Sequence, residues 1–218
     1  MITAILFDLD GTIIDSEIVA FKAIIDCFDQ WSLKIQRSDA AAVAGKKWEI
    51  AFAMLFKKYV LPVSEELAAK TILKRYKERM QTEISVVPGV VEAIRYFAEE
   101  QKLKLALVSG SWRNDILWAL KTLKVQQHFS VILGAEDYPN SKPSPDGFQK
   151  AIELLGVAPQ ECMVFEDSVA GIASAHSSGS KVVAITSTNH FGHDISAADF
   201  HLENYLNIKE DWKKISRG

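Results

Sequence analysis

Five short apolar, β-branched runs recur along the chain: TAILFD, LKLALVS, SVILG, CMVFED and KVVAIT. Each leads into a polar or glycine-containing turn and then into a stretch with helical spacing. Strands that are apolar on both faces are the ones buried between helix layers, so this alternation predicts a parallel sheet covered on both sides. In such sheets ligands collect beyond the carboxyl ends of the strands. Asp8, Ser109, Glu166 and Asp167 all fall at such ends.

Residues 16–83 break the rhythm. Ile18, Phe21, Ile25 and Phe28 recur at helical spacing, as do Phe52, Leu55, Phe56 and Tyr59, and a third helical stretch runs from Ser64 to Met80. Ser64 with Leu67 three residues on reads as a capped start. These residues are a helical insert, and Pro88 and Gly89 mark the return to the main unit. The expectation is an α/β core from residues 1–15 and 84–218 carrying a helical domain over 16–83. The tail from Glu203 to Gly218 reads as a short polar helix.

Composition narrows the function. With 218 residues, 48% of them hydrophobic, the chain can bury a large core. A net charge of −3 with 24% charged residues gives no footing for nucleic acid or an anionic membrane, and points instead to a small-molecule partner. Cys27 and Cys162 lie far apart in apolar settings, with neither disulfide nor zinc spacing, and read as reduced thiols. The chain reaches Asp8 before a signal-peptide apolar region can form, and no run approaches the roughly 20 apolar residues of a membrane span. A cytoplasmic location is expected.

The first run ends in DLDGT, residues 8–12. A strand has a period of two, so Asp8 and Asp10 start on one face, roughly 6 to 7 Å apart unless the turn begins between them. Two unit charges about 4 Å apart at an effective dielectric near 20 repel by roughly 4 kcal/mol. Gathering Asp8, Asp10, Glu166 and Asp167 therefore calls for a cation, and oxygen donors without His or Cys favour Mg²⁺. On its own, Asp10–Gly11 is equally an ordinary turn. The order of motifs changes the odds: an acidic pair ending the first strand, a serine after the second, Lys142 before the next-to-last and an acidic pair after it.

As a set, DLDGT at 8–12, VSGS at 108–111, SKPSPDGF at 141–148 and FEDSVAGI at 165–172 resemble the haloacid dehalogenase-like hydrolase superfamily, in its β-phosphoglucomutase-like phosphatase branch. The resemblance spans nearly the whole chain. It implies a Rossmann-like parallel sheet flanked by helices with an inserted α-helical cap, and a phosphatase acting on a small phosphorylated metabolite, a sugar or polyol phosphate. Asp8 is the implied nucleophile and Asp10 the general acid and base. Asp8, Asp10, Glu166 and Asp167 are the implied metal site, with Asp167 the safer direct ligand and Glu166 binding either directly or through water.

Gly11, Thr12, Ser109, the amides of Gly110 and Ser111, and Lys142 are the implied phosphate contacts, the serine segment lying where a strand passes into a helix. A serine cap would use the same residues differently. Pro143 biases Lys142 toward an extended backbone, and a cis Lys142–Pro143 bond fits the pattern. Gly171, among small residues, is read as serving close helix-to-sheet packing. In VAGKKWEIAF, residues 43–52, Lys46, Lys47 and Trp48 are either leaving-group contacts or a solvated lysine pair before a helix. Ala20 and Trp48 stand where phosphoglucomutases of the branch carry His and Arg, which weakens the alternative of a phosphosugar mutase. A phospho-acceptor signalling domain shares some of the motifs but is shorter and lacks a cap. A monomer or weak homodimer is expected.

Overall fold

The computed structural model describes residues 1–43 and 48–216. The chain divides into two compact units, Asp15–Ser85 and a second made of Met1–Ile14 with Val86–Gly218.

The unit Asp15–Ser85 is helical: α1 (Ser16–Gln30), α2 (Arg37–Val43), α3 (Trp48–Lys58) and α4 (Glu65–Thr82). Asp15 starts α1 by accepting the Ile18 amide at 3.3 Å, and Ser64 starts α4 by accepting that of Leu67 at 3.3 Å. Glu65 and Glu66 follow in the first turn, where carboxylates suit the positive end of a helix. Val19, Ala23, Ile24, Cys27 and Phe28 form the buried stripe of α1, and the last three pack with Phe52, Leu55 and Ile72. Arg79 forks onto Asp26 at 2.8 and 2.9 Å, tying α4 to α1.

The other unit is a parallel sheet of six strands among the described residues, in the order β3-β2-β1-β4-β5-β6. The strands are β1 (Ala4–Phe7), β2 (Lys104–Val108), β3 (Val131–Leu133), β4 (Cys162–Glu166), β5 (Lys181–Ile185) and β6 (Phe200–Leu202). The first five coincide with the five apolar runs. α5 (Val90–Arg95) leads through a π turn into β2, α6 (Arg113–Thr122) follows it, and α7 (Asp146–Leu155) and α8 (Val169–Ser177) flank β4. The tail departs from the sequence reading. β6 precedes it, and α9 (Ile208–Ile215) buries Ile208, Trp212 and Ile215, so its apolar stripe makes it a packing helix and not a polar one.

Alternation along the strands splits the core into two layers. Ala4 and Leu6 join Phe148, Ala151, Ile172 and Ala175 on one face. On the other, Phe7 stacks on its register partner Phe165 at 5.2 Å, within an aromatic cluster with Phe97, Tyr205 and Trp212. The strand order steps outward from β1 to β3, then returns to start again at β4 beside β1. The carboxyl ends of β1 and β4 thus flank the switch point where this architecture binds ligands.

Candidate active site

The chain emerging from β1 stays paired for one more residue, the Asp8 amide donating to the Phe165 carbonyl at 3.0 Å. Asp8 is buried at that point. Lys142 reaches across from the segment before α7, and the Lys142–Pro143 peptide is cis. Its Nζ donates to Asp8 Oδ1, to Glu166 Oε1 at 2.5 Å and to the Val108 carbonyl at 3.2 Å, and lies 4.9 Å from the centre of the Phe148 ring. Glu166, the last residue of β4, is 1% exposed. Its Oε2 accepts from the Asp167 amide (2.9 Å), the Ser168 amide (2.9 Å) and the Ser168 hydroxyl (3.0 Å). Both Glu166 oxygens are therefore occupied, and the residue serves as the anchor of Lys142.

Asp10 lies beyond the strand end, in a turn closed by its bridge to Ile14. Its Oδ2 accepts the Ser111 hydroxyl at 2.6 Å and the Ser109 hydroxyl at 3.3 Å. The serine segment links the end of β2 at Val108 to the start of α6 at Arg113, as the sequence implied, and it is held by its own scaffold. The Ser111 amide donates to Ser109 Oγ at 3.0 Å, α6 starts only at Arg113, and the Arg113 amide is held by Glu136 at 3.1 Å. The Ser111 amide is thus already paired, while the space beside Gly110 is open. Tyr138 donates its hydroxyl to the Ser109 carbonyl at 2.8 Å, and the Ala135 amide donates to the Ser111 carbonyl at 3.0 Å.

Gly11 and Thr12, expected to touch phosphate, also have partners inside the scaffold. The Gly11 amide donates to the Ile14 carbonyl at 2.6 Å, and its own carbonyl accepts the Thr188 hydroxyl at 2.6 Å. Thr12, fully buried, donates to Asp167 Oδ1 at 3.2 Å. Gly11 has φ +85°, and a Cβ there would sit 2.0 Å from Asp167 Oδ2, so the turn needs glycine twice over. Thr188, Tyr138, Glu136 and Ser168 went unnoticed in the sequence. Only Ser168, a serine directly before a helical run, carried a readable signal, as a cap.

A family model described as haloacid dehalogenase-like hydrolase matches residues 5–185, most of both the sheet and the insert. The chain belongs to that family. It is 31% identical over 216 residues to protein CbbY of Rhodobacter capsulatus, covering 91% of this chain and 92% of that one. It is 28% identical over 184 residues to the phosphorylated carbohydrates phosphatase of Thermotoga maritima, covering 81% of each. The crystal structure of β-phosphoglucomutase from Clostridium difficile superposes with a TM-score of 0.76 at 22% identity, over 100% of this chain and 98% of that one, a likeness of fold.

In this haloacid dehalogenase-like hydrolase the strand-end acids form three linked groups: Asp8 with Lys142 and Glu166, Asp10 with the two serines, and Asp167 with Thr12. Burial pushes the Asp8 carboxyl above the usual carboxylate range; Lys142 opposes the push, and Glu166 and Asp10 add to it. Burial works against the Lys142 charge too, but Asp8 and Glu166 outweigh it and hold the ammonium above the ordinary lysine value. One cation thus serves several carboxylates. Hard oxygen donors short of positive charge fit Mg²⁺, which uses one or two carboxylates plus waters and substrate phosphate in place of a full protein cage. Among the described residues no three His, Cys, Asp or Glu side chains form such a cage. Asp8 and Asp167 are the two carboxylates that would hold the ion, since Asp10, also expected as a ligand, has its Oδ2 taken by the two serine hydroxyls.

Lys46 and Lys47 lie outside the described residues. Trp48 opens α3 and stacks on Phe52 at 5.2 Å, with Tyr76 edge-on at 5.3 Å, so its ring already has neighbours within the helical unit. No described helix is long and apolar enough to cross a membrane.

Proposed function

We propose that this protein is a Mg²⁺-dependent phosphatase that hydrolyses phosphate monoesters of small metabolites, sugar or polyol phosphates, through an aspartyl-phosphate on Asp8. The observation that carries the reading is the buried chain Asp8–Lys142–Glu166 at the switch point, beside an Asp10 held by two serine hydroxyls. The same reading makes residues 16–83 the cap that selects the substrate.

Asp8 attacks phosphorus in line, the ester P–O bond breaks, and its electron pair goes to the leaving oxygen, which takes the Asp10 proton. Lys142 keeps Asp8 aligned and neutralises charge on the phosphoryl group. Water then attacks the phosphorus of the aspartyl-phosphate, Asp10 takes back a proton, and the bond to Asp8 breaks to release inorganic phosphate. Bound Mg²⁺ supplies charge neutralisation for the transferring phosphoryl group. The test is phosphate release from a panel of phosphorylated metabolites, run beside Asp8→Asn. That variant is expected to fold and to be inactive. Normal hydrolysis by Asp8→Asn, or isomerisation of glucose 1-phosphate without phosphate release, overturns the reading, the second outcome in favour of a mutase.

A further inference from the structure

We propose that Ser111 is the positioning residue of Asp10: its hydroxyl fixes one carboxyl oxygen so that the other faces the leaving group. The inference rests on the reading of Asp10 as general acid. The Asp carboxyl turns about a broad, roughly two-fold torsion, so its plane is set only by what it touches. Here Ser111 Oγ donates to Oδ2 at 2.6 Å, a tighter contact than the 3.3 Å of Ser109. Ser111 is itself held at both ends of its peptide, its amide by Ser109 Oγ at 3.0 Å and its carbonyl by the Ala135 amide at 3.0 Å. The donor therefore arrives on a fixed loop. Two hydroxyls fill the acceptor capacity of Oδ2 on that side, and Oδ1 is the oxygen left to meet an ester.

The consequence is selective. A poor leaving group needs the proton as the P–O bond breaks, whereas 4-nitrophenolate departs as a stable anion. Misaligning the acid slows the first class and spares the second. A serine that merely held phosphate or supported the loop would affect both alike, because both esters carry the same phosphoryl group.

The experiment compares kcat/KM with Mg²⁺ for phenyl phosphate and 4-nitrophenyl phosphate in wild type, Ser111→Ala, Ser111→Thr and Asp10→Ala. Ser111→Ala is expected to lose about tenfold or more on the phenyl ester and less than about twofold on the nitrophenyl ester, with Ser111→Thr restoring most of the loss. Asp10→Ala is expected to show the same selectivity with a larger loss, about 10²- to 10⁴-fold on the phenyl ester. Should Ser111→Ala fail to fold by circular dichroism, Ser111→Cys, of similar size and a weak donor, gives the same comparison. Equal losses on both esters, or none, overturn the positioning role. If Asp10→Ala discriminates and the Ser111 variants do not, only this inference falls. If Asp10→Ala slows both esters equally, the acid assignment fails with it, and wild-type inactivity on both esters overturns the phosphatase reading as well.

Discussion

Replacing Gly171 by alanine pits two effects of opposite sign against each other. In a helix interior alanine is favoured over glycine by about 0.5–1 kcal/mol, so propensity alone predicts a more stable protein. The Cβ added at Gly171, however, would lie 1.8 Å from Glu166 Oε1 and 1.9 Å from its Cδ. A carboxylate is the movable end of a side chain, and the collision would be cheap if Glu166 were free to swing. It is not free: it is 1% exposed, accepts from two amides and the Ser168 hydroxyl on one oxygen, and holds Lys142 on the other. Moving it breaks a buried ion pair, for which about 3–5 kcal/mol is usual. Net of propensity, the expected cost is about 2–4 kcal/mol. For a chain of this length that lowers Tm by about 4–16 °C. A thermal melt followed by circular dichroism reads the stability, and phosphate release reads the site, where kcat/KM should fall at least about tenfold as Lys142 loses its anchor. A Gly171→Ala variant that melts at or above wild type with full activity would refute the account of Glu166 as that anchor.

Two further outcomes follow from the same geometry. Dialysis against EDTA should abolish phosphate release and Mg²⁺ should restore it; independently of activity, Mg²⁺ at about a hundred times its Kd should stabilise the fold by about 2.7 kcal/mol, and a melt indifferent to Mg²⁺ would contradict the metal site. Burial raises the Cys27 thiol, and burial, with Glu161 nearby, pushes that of Cys162 up to about 12. A thiol-reactive disulfide reagent at about pH 8 should therefore label neither cysteine in the native protein and both after unfolding, and rapid native labelling of Cys162 would count against its burial.

The fold was legible where apolar runs were long enough to show a period. Five strands end within a residue or two of the runs that predict them, and the Ser64 cap was visible from Ser64 and Leu67 alone. β6 was not legible, because three residues with two half-buried side chains offer no pattern to count. α9 reads as polar because five of its eight residues are charged, whereas the spacing of Ile208, Trp212 and Ile215 decides its packing. In the site, residue types were readable but side-chain directions were not. Glu166 is the last residue of β4 and Asp167 the first outside it, so strand alternation fails between the two. Which carboxylate turns inward depends on Ser168 and Gly171, residues whose sequence signals spoke of a cap and of close packing. The partnership of Thr188 with Gly11 spans 177 residues and left no local trace.

That inward turn of Glu166 bears on the electrostatics of the whole edge. A lysine facing Asp8 alone would bring a spare positive charge to an incoming phosphate dianion. With Glu166 on its other side, the charge of Lys142 is already shared between two carboxylates, and Asp10 adds to the negative charge around Asp8. At about 4 Å and an effective dielectric near 20, each unlike or like pair changes the energy by roughly 4 kcal/mol, so a phosphate approaching this edge is repelled unless another cation balances it. Glu166 thus makes the lysine a rigid locator of Asp8 more than a source of charge. On the proposed mechanism, the call for a divalent ion then comes from the hydrogen bonds of Glu166 as much as from the count of acids.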